Sequence, residues 1–397
     1  MTEAPAPTSP HDGLLRAAAT FGLPDPSPLP RRHGGTSSFT ELLATAERQR
    51  VVGLLADAVA ADPAADFDQA ERDELAHAHE RWAVHDLRLE RQLVQAVDLL
   101  DGARIPYAAF KGPALAHRWY GRPGSRVFAD LDLVVPGTHL SRATAVLSAG
   151  LGAVAALPDL QPGFAERFGK ESLLVTAPTA ATPQGFEIDV HRTLVAGALG
   201  LVIPLDELFA DRGTITVGDR PVATLGPIPT FLAACYQATV ADVPPRLAAA
   251  RDVVQILQSG ALDLDVTLAT AARWQARAVV AEAVTWAWAT LDRDGADPMI
   301  GWARGYRPGA RERAMLASHR TTGHVYWRQL AGAAVLPGVE PRVRYLRATL
   351  APQSSYLDGR RWTSGQHVRA AARALSRPVR EPVVREVRRF RRRYWTP

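Results

Sequence analysis

The stretch "SRVFADLDLVVPG", residues 125–137, places two aspartates inside an otherwise apolar segment with the character of a β-strand. Because successive side chains of a strand alternate between its two faces, Asp130 and Asp132 share one face, and Leu131 and Leu133 share the other. Two carboxylates so close together repel each other unless a cation, a proton or a basic side chain lies between them. The strand therefore predicts one face packed in a core and one face that carries a charged site.

The segment "ESLLVTAPT", residues 171–179, predicts a strand that a hairpin turn around "ATPQG" joins to a second acidic strand in "GFEIDVHRTL", residues 185–194. By the same alternation Glu187, Asp189 and His191 share one face. If this strand pairs with the first, up to four carboxylates and an imidazole meet in one patch. Carboxylate oxygens at this density suit Mg²⁺ or Mn²⁺, with substrate phosphates completing the coordination. Two such ions would serve phosphoryl or nucleotidyl transfer.

Upstream, "YAAFKGPALAHRWYG" predicts a strand, a glycine turn and a helix that begins at Pro113. A strand, turn and helix in this order present backbone N–H groups and the positive end of a helix to an anion. Lys111 adds a positive charge at the turn, and it is notable because Lys111 and Lys170 are the only lysines in the chain. Three arginines that could meet a triphosphate precede the aspartates: Arg118, Arg122 and Arg126.

The periodicity of apolar residues changes twice along the 397 residues, from helical to strand-like and back to helical. This order predicts an α+β fold in which a small mixed sheet is flanked by N- and C-terminal helical regions. The predicted parts are a flexible N-terminus (1–36), an N-terminal helical region (37–102), a sheet-containing core (103–215), a C-terminal helical region (216–350) and an arginine-rich tail (351–397).

Composition excludes several classes of protein. Cys235 is the only cysteine, so neither an intrachain disulfide nor a cysteine-based zinc site can form. No apolar run approaches the length of about 18 residues that a membrane span requires. The first residues, "MTEAPAPTSPHDG", lack the charged and apolar parts of a secretory signal. A cytoplasmic location is therefore expected.

At these residues the sequence resembles the DNA-polymerase-β-like nucleotidyltransferase superfamily, whose signature is a glycine-containing turn and helix, a D-x-D strand and a later single aspartate. More narrowly, it resembles a bacterial branch of poorly characterised nucleotidyltransferases, some of them found in natural-product gene clusters. The matching elements are "YAAFKG", Tyr120, Arg126, "DLDLVV" and "FEIDVH". The resemblance covers most of residues 40–377, but Lys111-Gly112 stands where the superfamily usually has Gly-Ser.

The resemblance implies an enzyme that transfers a nucleoside monophosphate, with ATP as the expected donor, to a small-molecule or peptide acceptor and releases pyrophosphate. It implies that Asp130, Asp132 and Asp189 are the catalytic residues and hold the metal ions. The nucleotide would be bound by Lys111, Gly112 and Arg126. Two further residues have open roles, Glu187 as a metal ligand or a surface residue and His191 as a support for Asp189 or a core histidine.

Two other functions remain open at this stage. The segment 369–393 contains ten arginines against two glutamates, which could bind a nucleic-acid backbone or an anionic membrane surface. A solvated chain end is the favoured interpretation of that segment. The alternative to an enzyme is a nucleic-acid-binding module or a nucleotide-binding module without turnover. The complete set of aspartates argues against the module without turnover.

Overall fold

The computed structural model describes residues 11–31, 39–179, 185–241, 244–293, 295, 297–320, 325–360, 363, 366 and 369. The turn expected around "ATPQG" lies largely outside this part of the chain, and so do nearly all the arginines of the tail. The role of the tail therefore stays a prediction.

Four helices precede the sheet: Asp12–Ala19 (α1), Phe39–Arg48 (α2), Val52–Ala61 (α3) and Gln69–Gly102 (α4). The long helix α4 starts at a capping box, in which the Asp68 side chain accepts from the Glu71 N–H and the Glu71 side chain accepts from the Asp68 N–H. Helix α1 lies within the segment 1–36 that was expected to be flexible. Its Leu14 and Leu15 are buried in the core, so this part of the segment is packed.

Within the described part of the chain, seven strands form one sheet. The strands are Ala108–Phe110 (β1), Leu131–Val134 (β2), Ala153–Ala155 (β3), Glu171–Thr176 (β4), Glu187–His191 (β5), Arg212–Val217 (β6) and Arg220–Leu225 (β7). Their order across the sheet is β3-β4-β5-β2-β1-β7-β6. Strand β2 is parallel to β5 and β1 is parallel to β7, while the other neighbours are antiparallel. The sheet is therefore mixed, as predicted.

The sheet differs from the expectation at its edges. The strands β1, β2, β4 and β5 were expected, including the antiparallel pairing of β4 with β5. The short strand β3 and the hairpin of β6 and β7 were not, and β7 continues the sheet to Leu225, beyond the boundary predicted at residue 215. The connecting helices are Gly112–Trp119 (α5), Leu140–Leu151 (α6), Phe164–Arg167 (α7), Gly197–Leu201 (α8) and Leu205–Leu208 (α9).

From Pro227 onward the described residues are mainly helical, as predicted. The helices are Pro227–Tyr236 (α10), Leu247–Leu257 (α11), Leu264–Arg273 (α12), Arg277–Thr290 (α13), Pro298–Gly305 (α14), Ala310–Arg320 (α15), Val325–Val335 (α16), Val339–Leu350 (α17) and Ser354–Gly359 (α18). Trp274, Trp286 and Trp288 are buried in one core that joins these helices to α1, α2 and α3. Among the helices of the described residues, none is both long and apolar enough to cross a bilayer.

Candidate active site

The two acidic strands are direct neighbours in the sheet. In the parallel pair of β2 and β5, Asp132 lies opposite Asp189, so both side chains project from the same face. On the other face Leu131 and Leu133 pack in a core with α4 and α6. The alternation predicted from the sequence is confirmed. Asp130 was expected inside this strand, but β2 begins one residue after it.

A chain of charged side chains runs across this face. Lys111 Nζ donates to Asp132 Oδ1 over 2.6 Å, and His191 Nε2 lies 2.8 Å from the same oxygen. His191 Nδ1 lies 3.2 Å from Glu171 Oε2 without the geometry of a hydrogen bond, and Glu171 also pairs with Lys170. The only two lysines of the chain therefore stand at the two ends of this network. His191 contacts Asp132 directly, whereas the sequence had suggested Asp189 as its partner.

The three aspartates differ in how their charge is balanced. Burial alone would raise the pKa of Asp132, but the Lys111 ammonium and His191 hold it well below its usual range. Burial, together with the charges of Glu171 and Asp132, raises the pKa of Asp189 to about 7. Burial and the charge of Asp132 also raise the pKa of Asp130. The site has more carboxylates than nearby cations can neutralise, which is the condition that a bound metal ion relieves.

The side chains fit a divalent metal ion. Asp132, Asp189 and His191 each offer a ligand atom, and these atoms lie within 4.8 Å of one another. Asp130 is not part of this group, whereas the resemblance implies Asp130, Asp132 and Asp189. Two carboxylates and a neutral imidazole are donors that Mn²⁺ accepts readily, and carboxylates also suit Mg²⁺.

A cavity of about 300 Å³ lies beside this group, and Asp132 is the member of the group that lines it. The sheet side contributes Lys111, Gly112, Asp130, Asp132 and the exposed Glu187, and α10 and α11 form the facing wall with Thr230, Ala234, Ala249 and Asp252. Three arginines, Arg50, Arg126 and Arg246, also line it. The cavity is therefore acidic at the strand ends and basic around them.

The Lys111-Gly112 turn has the expected position but a strained backbone. Lys111 precedes α5 with a φ of 57°, in the left-handed region that favours glycine, and Gly112 follows with a φ of 20°. Non-glycine residues held in this region cluster at functional sites. Within this turn the Lys111 ammonium is directed at Asp132, so its predicted contact with phosphate remains to be tested.

The predicted phosphate-binding Arg126 is held by an acidic residue that sequence analysis did not identify. Its Nε and Nη2 donate to the two carboxylate oxygens of Asp252 in α11, over 3.1 and 2.9 Å. The Tyr120 hydroxyl donates to the same carboxylate over 2.6 Å. Tyr120 and Arg126, both elements of the resemblance, thus tie the sheet to α11. A role of Arg126 in nucleotide binding stays a prediction.

The other two arginines considered for the triphosphate point elsewhere. The Arg118 guanidinium lies over the Trp119 ring, and that of Arg122 lies over Phe21 and 4.0 Å from Asp57. Neither residue belongs to the described lining of the cavity. Asp86 in α4 accepts from the N–H of Phe128 and so fixes the segment that leads into Asp130. Burial raises the pKa of Asp86 to about 7.

Comparison with known proteins assigns the chain to a family. Residues 36–292 match the model of a family described as uncharacterised nucleotidyltransferases, and the chain belongs to this family. Its assignment as a nucleotidyltransferase is thereby confirmed at the level of the family. A solved structure, an antigenic nucleotidyltransferase-like protein from Paracoccidioides brasiliensis, matches with 17% identity over 47% of this chain and 93% of that one, with a TM-score of 0.30. No curated protein matches the chain.

Proposed function

We propose that the protein transfers a nucleoside monophosphate, with ATP as the expected donor, to an acceptor hydroxyl, phosphate or amine and releases pyrophosphate. The observation that carries the proposal is the pairing of Asp132 with Asp189 on adjacent strands, where Asp132 lines a cavity together with the Lys111-Gly112 turn. The resemblance further suggests a bacterial, cytoplasmic enzyme of natural-product biosynthesis with a small-molecule or peptide acceptor.

The carboxylates of Asp132 and Asp189, with His191, would hold the divalent ion, and Asp130 at the cavity wall would face the substrate. Such an ion neutralises phosphate charge and favours ionisation of an attacking hydroxyl. Asp189 would also accept the proton of the acceptor hydroxyl or orient it.

Lys111 has two alternative partners in this scheme. Its Nζ now neutralises Asp132 Oδ1, which is also the oxygen that faces His191. With a divalent ion held by Asp132, the Lys111 ammonium would be available to bind phosphate oxygens of the departing pyrophosphate. The N–H groups at the start of α5 would donate to the same oxygens.

The test is the thermal unfolding of the purified protein with each of the four NTPs, with and without Mg²⁺. We expect one nucleotide to raise the melting temperature only when Mg²⁺ is present. At a concentration of 100 times Kd, this stabilisation amounts to about 2.7 kcal/mol. Equal stabilisation by all four NTPs without metal would contradict the proposed metal-dependent site.

A further inference from the structure

Arg50 occupies a turn that two hydrogen bonds hold against α11. It lies between α2 and α3 with a φ of 58°, a backbone conformation that favours glycine. The preceding residue holds the turn against α11, because the Gln49 side chain accepts from the Leu247 N–H over 2.8 Å and the Gln49 carbonyl accepts from the Ala248 N–H over 3.2 Å. An arginine kept in a strained turn beside a cavity suggests that its side chain is needed there.

The guanidinium of Arg50 is held against a ring, but one of its buried donors has no acceptor within the described residues. It stacks 4.7 Å from the centre of the Trp82 ring, and its Nη1 is buried with no hydrogen-bond partner within the described residues. Leaving a buried donor without an acceptor destabilises the protein, and the cost is larger when the donor is charged. Trp82 therefore fixes the direction of a donor that lacks an acceptor in the protein itself.

The electrostatic surroundings of Arg50 favour an anionic ligand. Arg50 lines the active-site cavity, and Arg246, at the start of α11, lines it as well. Burial and the charge of Arg246 lower the pKa of Arg50, whereas Asp130 raises it. Two guanidinium groups that repel each other across one cavity are stabilised by an anion between them.

We propose that Arg50 binds phosphate oxygens of the nucleoside triphosphate in the cavity that it lines together with the Lys111-Gly112 turn. The assignment rests on the proposed function. It adds a phosphate-binding residue from the segment "QRVVGLLADAV", residues 49–59, which belongs to the resemblance but to which the resemblance assigns no role. It also makes binding depend on the docking of the α2–α3 turn against α11.

The test compares Arg50→Met with Arg81→Met as the matched control. Arg81 is exposed and lines only a neighbouring cavity of about 530 Å³, which Arg50 also borders. Calorimetry would measure the affinity of each variant for the stabilising NTP with Mg²⁺ and for inorganic tripolyphosphate. We expect Arg50→Met to weaken both ligands about 10- to 100-fold, the size of one or two charged hydrogen bonds. Arg81→Met should leave both affinities within about twofold of wild type.

Further variants distinguish the possible results of this test. Arg50→Lys keeps the charge but not the planar donor group, so it should recover only part of the affinity. If Arg50→Met fails to fold, Arg50→Gly replaces it, because glycine suits the left-handed turn. Affinities unchanged in Arg50→Met, or lowered equally in Arg81→Met, would overturn the inference while leaving the proposed function intact. Binding of tripolyphosphate that depends on Arg50, in a protein that binds no NTP, would show a phosphate site at Arg50 but overturn both the nucleoside triphosphate as its ligand and the proposed function.

Discussion

Asp132→Asn is expected to eliminate the metal site, and with it all metal-dependent stabilisation by nucleotide. Asp132 lies opposite Asp189 in the sheet and contacts His191, so it is adjacent to both of the other residues of the proposed metal site. Loss of a residue that merely orients a metal ligand costs 10- to 100-fold in affinity, so loss of the ligand should weaken Mn²⁺ binding by at least about 100-fold. Mn²⁺ titration followed by electron paramagnetic resonance would measure this change.

The same substitution also affects the free protein, and a double variant separates the two effects. Without Asp132 the largely buried Lys111 ammonium loses its carboxylate, which should cost about 3 kcal/mol of unfolding free energy. Lys111→Met combined with Asp132→Asn removes both charges and should restore most of this stability without restoring Mn²⁺ binding. The control is Asp219→Asn, an exposed residue in the turn between β6 and β7. Mn²⁺ affinity that survives in the stable double variant would contradict the proposed metal site.

Asp252→Ala is expected to destabilise the protein by about 3–5 kcal/mol, because it leaves the buried Arg126 guanidinium without its partner. The Tyr120 hydroxyl loses its acceptor at the same time. Urea unfolding, followed by circular dichroism, would measure the change. The double variant Arg126→Met/Asp252→Leu removes both charges and should regain a large part of the loss, since apolar groups can replace a buried ion pair.

A surface ion pair provides the matched control for Asp252. Arg220 donates to Asp98 over 2.8 Å at an exposed site. Asp98→Ala should therefore cost less than about 1 kcal/mol. A cost of Asp252→Ala no larger than that of Asp98→Ala would show that the bond between the sheet and α11 contributes little.

The central strands could be predicted because their signal is local. Alternating polar and apolar residues fix which side chains share a face, so the common face of Asp132 and Asp189 followed from the two short segments alone. Alternation alone did not establish that these two strands pair with each other. The hairpin of β6 and β7 also carried a local signal, the two-residue turn Gly218-Asp219 between alternating segments, which was overlooked.

Contacts between residues that are far apart in the sequence had no such local signal. Arg126 and Asp252 are 126 positions apart, and nothing in the spacing of either one indicates the other. The docking of Gln49 against α11, which places Arg50 at the cavity, spans a still longer separation. Composition did contain one further indication, because Lys170, the second of two lysines in an arginine-rich chain, also belongs to the active-site network.

The most direct test of the account is a crystal structure of the protein soaked with Mn²⁺ and a non-hydrolysable analogue of the stabilising nucleotide, with the metal located by its anomalous scattering. The account predicts an anomalous peak within coordination distance of the carboxylates of Asp132 and Asp189, with the Lys111 ammonium moved from Asp132 to a phosphate. Bound nucleotide with Lys111 still paired to Asp132, and no metal at these carboxylates, would contradict it.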